Sequence, residues 1–354
     1  MHQISRENDS VSDMIPQDPT VVGIDNLENI SDITALSCHY SGEYLFCGKD
    51  NGAVVLYSAA TGTELGILYS HTKGTEVNYL ACGEKSDLIV SADASSRFMV
   101  WKIIMKDHLT VQGPLLDARI PNYSINQIVL SATGEQILVS TKVSDTIYDI
   151  RSGVHKTSTF PERLSWKWID HPRDPTKLIH ITAKTAHTHS WDDPSEPSYS
   201  VDLTVESNVD LEMIVKDVAA CSDGCKLAIE FAKTNSLLSA SNVLILETKD
   251  FEEPYGSITE LTPPYVKVLP EIEHIIGNVG RQLLFLDKKM WVCSFDLEKF
   301  KGEYSRHFFI PEDWLSVNRG MILKVTSKGD LVFVKRDEIA IIQRGLAYKE
   351  AVSV

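Results

Sequence analysis

Several things this sequence has little of narrow the field at once. No window approaches the roughly 18 consecutive apolar residues that a membrane-spanning helix requires. Met1–Thr20 lacks an apolar stretch of leader length and carries Glu7, Asp9, Asp13 and Asp18, which argues against a secretory signal. Basic residues are outnumbered, 34 Lys plus Arg against 49 Asp plus Glu, for a net charge of −15. That balance leaves no basic stripe to replace phosphate counterions or to dock on an anionic leaflet. Cysteine is sparse, six in 354 residues, and most sit in apolar runs such as Leu45-Phe46-Cys47 and Trp291-Val292-Cys293. Such positions suit small buried thiols rather than a disulfide framework. The expectation is a cytoplasmic chain without nucleic-acid or membrane partners. Local catalytic strings are missing too: no G-x-S-x-G, no H-E-x-x-H, no G-x-G-x-x-G.

What is present is a core-forming composition, 43% apolar and 23% charged. The length suggests two domains, but all-β propellers exceed that allowance as single units. A repeat settles between the two. Ile33–Ser37 leads to Ser41-Gly42-Glu43, then Tyr44–Gly48, Ala53–Tyr57 and the turn Thr61-Gly62. Ile125–Leu130 leads in the same order to Thr133-Gly134-Glu135, Gln136–Ser140, Thr146–Asp149 and Ser152-Gly153. Gly42 and Gly134 are 92 positions apart, Gly62 and Gly153 are 91, and Gly224 lies 90 beyond Gly134. These intervals are twice a period of about 45, the length of a four-stranded propeller blade. More worn copies fall between them, at Val77–Ile103 and Trp166–Asp192, and two more follow Val243–Glu247, at Ile272–Phe295 and Met321–Gln343. No copy carries a helical stripe.

The reading is therefore all-β: one seven-bladed propeller of WD40-like type over residues 20–346, seven copies between Ile33 and Gln343. Residues 1–19 are expected to be disordered and 347–354 to form a C-terminal tail. The seventh copy has only three strands, so Val21-Val22-Gly23-Ile24 is predicted to supply its outer strand and join the two ends of the chain. Closure by pairing removes exposed sheet edges. The acidic, Pro-containing connectors 193–209 and 250–270 should each hold an outer strand with a longer loop.

Possible chemistry is thin. His187-x-His189 would place two imidazoles on one strand face, and Cys221-x₃-Cys225 brackets a hairpin turn. Neither pair brings the three or four convergent ligands a metal needs, so packing and strand pairing are the expected roles; no metal and no cofactor are expected. Trp166-x-Trp168 sends both indoles to one side, with inter-blade core favoured over a binding role. Glu252-Glu253 reads as a solvated face.

The residues resemble WD repeats in worn form. Trp191-Asp192 carries the dipeptide, with looser versions at Tyr148-Asp149 and Phe295-Asp296. Ser70-His71 stands where the class has Gly-His. Its turn aspartate position looks like Asn51 in the first copy and Ser95 in the second, so stability is expected to rest on apolar packing. Longer strings, among them Phe46-Cys47-Gly48-Lys49-Asp50-Asn51-Gly52, Leu68–Gly74, Val90–Ser95, Arg306–Pro311 and Gly329–Lys335, resemble the WD region of fungal NACHT–WD proteins, the vegetative-incompatibility type. That resemblance implies a region that senses a partner or restrains an NTPase. No G-x-x-x-x-G-K-[ST] string occurs, and only about 30 residues precede the first blade, too few for that module.

The expected function is non-catalytic: a monomeric ring serving as a protein-interaction scaffold or sensor. The favoured contact surface is the loops entering each blade's first strand, with His71, Lys73, Asn122, Tyr123, Glu162 and Arg163 as candidates. Two alternatives stay open: a propeller hydrolase with a central pocket, and a stand-alone fragment of a fungal receptor. The hydrolase requires a nucleophile and a base within hydrogen-bond reach.

Overall fold

The chain alternates short apolar strands with Gly, Asp and Ser turns, and this pattern closes a ring of seven antiparallel sheets. The structure is a computed structural model. It describes residues 20–22, 31–83, 86–106, 108–158, 166–203, 213–221, 223–233, 242–251, 259–260, 266–268, 272–298, 303–311, 314, 322–347 and 350–353. The expectation for residues 1–19 lies outside these.

Each sheet is a blade with strands a to d from the axis outward. Blade one is Ile33–Cys38, Tyr44–Lys49, Ala53–Ser58 and Glu64–Ser70, hydrogen-bonded in that order. Blades two to six begin at Val77, Ile125, Trp166, Met213 and Ile272. Blade seven takes three strands from the end of the repeat, Ile322–Val325, Leu331–Lys335 and Glu338–Ile342. Its outer strand is Thr20–Val22, antiparallel to strand c with Thr20 opposite Ile341 and Val22 opposite Ile339. The closing strand therefore comes from the segment that the sequence nominated.

Closure has further bonds. The Ile33 amide donates to the Arg336 carbonyl at 2.7 Å, the Ser327 hydroxyl to the Tyr40 carbonyl at 2.7 Å, and the Gln343 amide to the Ala60 carbonyl at 2.7 Å. The innermost strands lie each against the next, and that of blade seven against that of blade one.

The glycine spacing has a conformational cause. Gly42, Gly134, Gly224 and Gly329 all sit in a–b turns at φ of 66, 70, 71 and 84°, where a side chain is disfavoured. In each turn the glycine amide bonds the carbonyl three residues back, on His39, Ser131, Cys221 and Thr326. Gly62 and Gly153 do the same service in the c–d turns of blades one and three.

The core is divided among the seams between blades. Seven apolar clusters fill the seven seams, and alternation along each strand sends successive side chains to opposite seams. In blade two, Ile89 and Met99 pack toward blade one, while Val90 and Val100 pack toward blade three. The aromatic residue ending strand c, Tyr148, Trp191 or Phe295, is buried in such a seam. The acid after it does local work: the Asp149 carboxylate accepts the Arg151 and Ser152 amides and caps the c–d turn. Trp168 is fully buried and Trp166 packs beside it, so the tryptophan pair belongs to core.

Two blades carry a fifth strand that periodicity did not indicate. Thr259–Glu260 runs parallel to the outer strand of blade four, Tyr199–Asp202. Glu350–Ser353, in the segment expected as a tail, pairs antiparallel with Glu303–Arg306 on blade six. The connectors expected to hold outer strands do so, at Tyr199–Asp202 and Val266–Val268.

Candidate functional site

Antiparallel connection puts the d–a loops and b–c turns on one face of the ring, the loop face, and the a–b and c–d turns on the other. Of the six nominated contact residues, Lys73, Asn122 and Tyr123 are exposed on the loop face. Asn122 adopts φ of 67°, a turn conformation that Asn tolerates, and Tyr123 beside it is 47% exposed. Glu162 and Arg163 lie outside the described residues.

His71 is elsewhere. Its ring is fully buried, with Nδ1 3.0 Å from Asp93 Oδ2 and Nε2 2.8 Å from Ser91 Oγ. An ionised carboxylate only accepts, so Nδ1–H donates to Asp93, Ser91 donates to Nε2, and Tyr69 donates to Ser91 at 3.1 Å. The Asp93 Oδ1 atom accepts the amides of Ser95 and Arg97, shaping a turn in which Ser96 has φ of 63°. The turn acid is therefore Asp93, not Ser95 as the repeat resemblance implied; the tight turn lets a residue two positions earlier reach the ring.

This Ser91–His71–Asp93 order has the connectivity of a hydrolytic triad, so accessibility decides its role. Ser91 is 0% exposed and Asp93 1% exposed. Burial holds the His71 imidazole below its ordinary pKa against the pull of Asp93. A serine that substrate cannot reach does not act as a nucleophile. The relay fastens a d–a loop to a b–c turn.

Blade six has a related acid. Asp287 Oδ1 accepts the Lys289 and Trp291 amides around Met290 at φ of 64°, while Oδ2 takes two bonds from Arg306, at 3.2 and 3.0 Å. Arg306 lies 5.8 Å from the ring of Trp291, and Trp291 packs against Phe309, which is 46% exposed. This cluster opens on the loop face. Sequence reasoning missed it because Arg306–Phe309 reads as an ordinary strand, and only pairing across to Trp291 assembles the group.

The innermost strands add a polar collar. In five of them the register slips one residue near the start, inserting Thr34, Asn78, Asn126, Lys216 or Glu273. Such bulges re-aim a side chain at the cost of a ladder bond. Asn78 and Asn126 are exposed. Lys216 bonds the Glu273 carbonyl at 2.6 Å and the buried Glu230 carboxylate at 2.9 Å, tying blade five to blade six.

Among the described residues no three His, Cys, Asp or Glu side chains are placed to hold a metal ion. Cys221 Sγ bonds Asp223 at 2.8 Å, and burial followed by that bond pushes its thiol up to about 11, well away from reactive thiolate.

The fold is a seven-bladed β-propeller of WD-repeat type. The crystal structure of the Myceliophteria thermophila Cps50 (Swd1) β-propeller domain matches it over 90% of this chain and 99% of that one, with a TM-score of 0.62 and 12% sequence identity. The likeness is one of fold. No family model matches the sequence, and no curated protein does.

Proposed function

We propose that this chain is a non-catalytic protein-interaction module whose binding surface is the loop face. The observation that carries the reading is that this face presents Tyr123 at blade three and the group Trp291, Phe309 and Arg306 at blade six, partly or largely exposed on a rigid ring. Aromatic and arginine side chains supply most binding hot spots, because a large flat surface is desolvated at small entropic cost. The WD-repeat propeller is typically non-enzymatic and is compatible with scaffold use. The resemblance to the repeats of fungal NACHT–WD proteins supports the same direction, since those repeats sense a partner. Lys73 and Asn122 would contribute polar contacts at the edge of the same surface.

The test is paired substitution. Trp291→Phe with Phe309→Ala, and separately Tyr123→Ala with Lys73→Ala, should remove proteins captured by the intact chain while leaving its melting temperature nearly unchanged. An identical captured set from both variants would overturn the assignment of this face.

A further inference from the structure

The seven seams are not equally apolar. Among the described residues, six are filled by nine to twelve buried apolar side chains each; the seam between blades three and four has six, Val129, Leu138, Ile147, Trp168, Leu178 and Trp191. Imidazoles occupy the difference. Register places His180 opposite His187, with Trp168 opposite His180 and Leu178 opposite His189, so all three histidines share the face toward blade three. Their ring centroids form a nearly equilateral triangle, 6.3, 6.1 and 6.2 Å on a side. His180 and His189 are buried, at 4% and 1% exposure, and His187 Nδ1 lies 2.7 Å from Ser200 Oγ.

We propose that this seam is an acid-sensitive latch: with the imidazoles neutral it holds the outer half of blade four, and their protonation releases it. Two cations about 6 Å apart in a poorly hydrated seam repel strongly, and a buried imidazolium loses solvation besides. Burial, then the neighbouring His187, already drives His189 down to about 4, while the nearby backbone of Pro194 and Glu196 opposes that shift.

Charged groups stand on every element packed against the triangle. From blade three come Asp145, held by Ser140 at 2.5 Å, and Lys156, whose ammonium bonds the Asp192 carbonyl at 2.8 Å. Blade four itself offers Asp170, which accepts the Trp191 indole N–H at 2.9 Å. The connector offers Asp193, engaged by Ser195, and Glu196.

What the latch holds is the c–d connector. The Ser198 amide and hydroxyl bond the Thr188 carbonyl at 2.7 and 3.0 Å, between His187 and His189 on the same strand. Opening the seam would free this connector and the edge strand Tyr199–Asp202.

Hydrogen exchange of the intact chain at pH 7.5 and pH 5, corrected for intrinsic rates, tests the idea. Peptides covering Tyr199–Asp202 and Thr185–Ser190 should lose at least tenfold more protection at pH 5 than peptides covering Tyr44–Lys49 of blade one. His189→Gln, which keeps a donor and cannot titrate, should reduce that selective loss. Equal loss in both blades, or an unaltered selective loss in a folded His189→Gln protein, would overturn the proposal. The wild-type comparison alone decides it if the variant does not fold.

Discussion

His71 and Asp93 meet at 3.0 Å inside blade two, one from the loop that ends blade one and the other from the turn between the second and third strands. Removing the acid leaves a buried donor unmet and two turn amides uncapped. Asp93→Ala should cost about 3 kcal/mol, the range for breaking a buried charge-assisted pair. Denaturant unfolding by circular dichroism checks this; a loss within error would show that the relay carries no stability.

Gly48 has an ordinary backbone conformation, yet a Cβ there would sit 2.5 Å from Val77 Cγ1 of the next blade. Gly48→Ala should therefore destabilise through the seam, by about 1–3 kcal/mol as overpacking usually does. Pairing it with Val77→Ala should recover only part of the loss in a double-mutant cycle, because Val77 Cβ would itself lie 2.8 Å from the new Cβ.

Deleting residues 1–22 removes the outer strand of blade seven and exposes the edge of Glu338–Ile342. The melting temperature should fall sharply. An unchanged value would mean that contacts such as Ser327 to Tyr40 close the ring unaided.

Glu230 gives a second pH window. Burial pushes its carboxyl up, but bonds from His274 and Lys216, with the Ile275 amide, overcome that and bring it down to about 2 from 4.5. A depressed folded value means stability is present above pH 4.5 and lost as pH falls toward 2. Glu230→Gln should flatten the acid limb of a stability–pH curve between those values while leaving the limb between pH 6.5 and 4, where His189 acts, in place.

The parts of this fold that local chemistry controls were legible in the chain. Glycines at 42, 134 and 224 announced the hairpins because few other residues accept that backbone conformation. The spare strand at 21–24 followed from counting strands in the last copy. Misreadings arose where a partner lies far away along the chain. His71 looked like a loop residue until Asp93 and Ser91 enclosed it, and Trp291 drew no binding role until strand pairing set Phe309 opposite it. The strand at Glu350–Ser353 has no repeat to belong to, so periodicity could not find it.

Thr20 pairs at the end of strand c in blade seven, and Ser353 pairs at the start of strand d in blade six. Thr20 and Ser353 thus lie on neighbouring sectors of the rim, on the underside away from Tyr123 and Trp291. The two added strands therefore thicken the ring's edge on one side and leave the upper surface unobstructed at both positions.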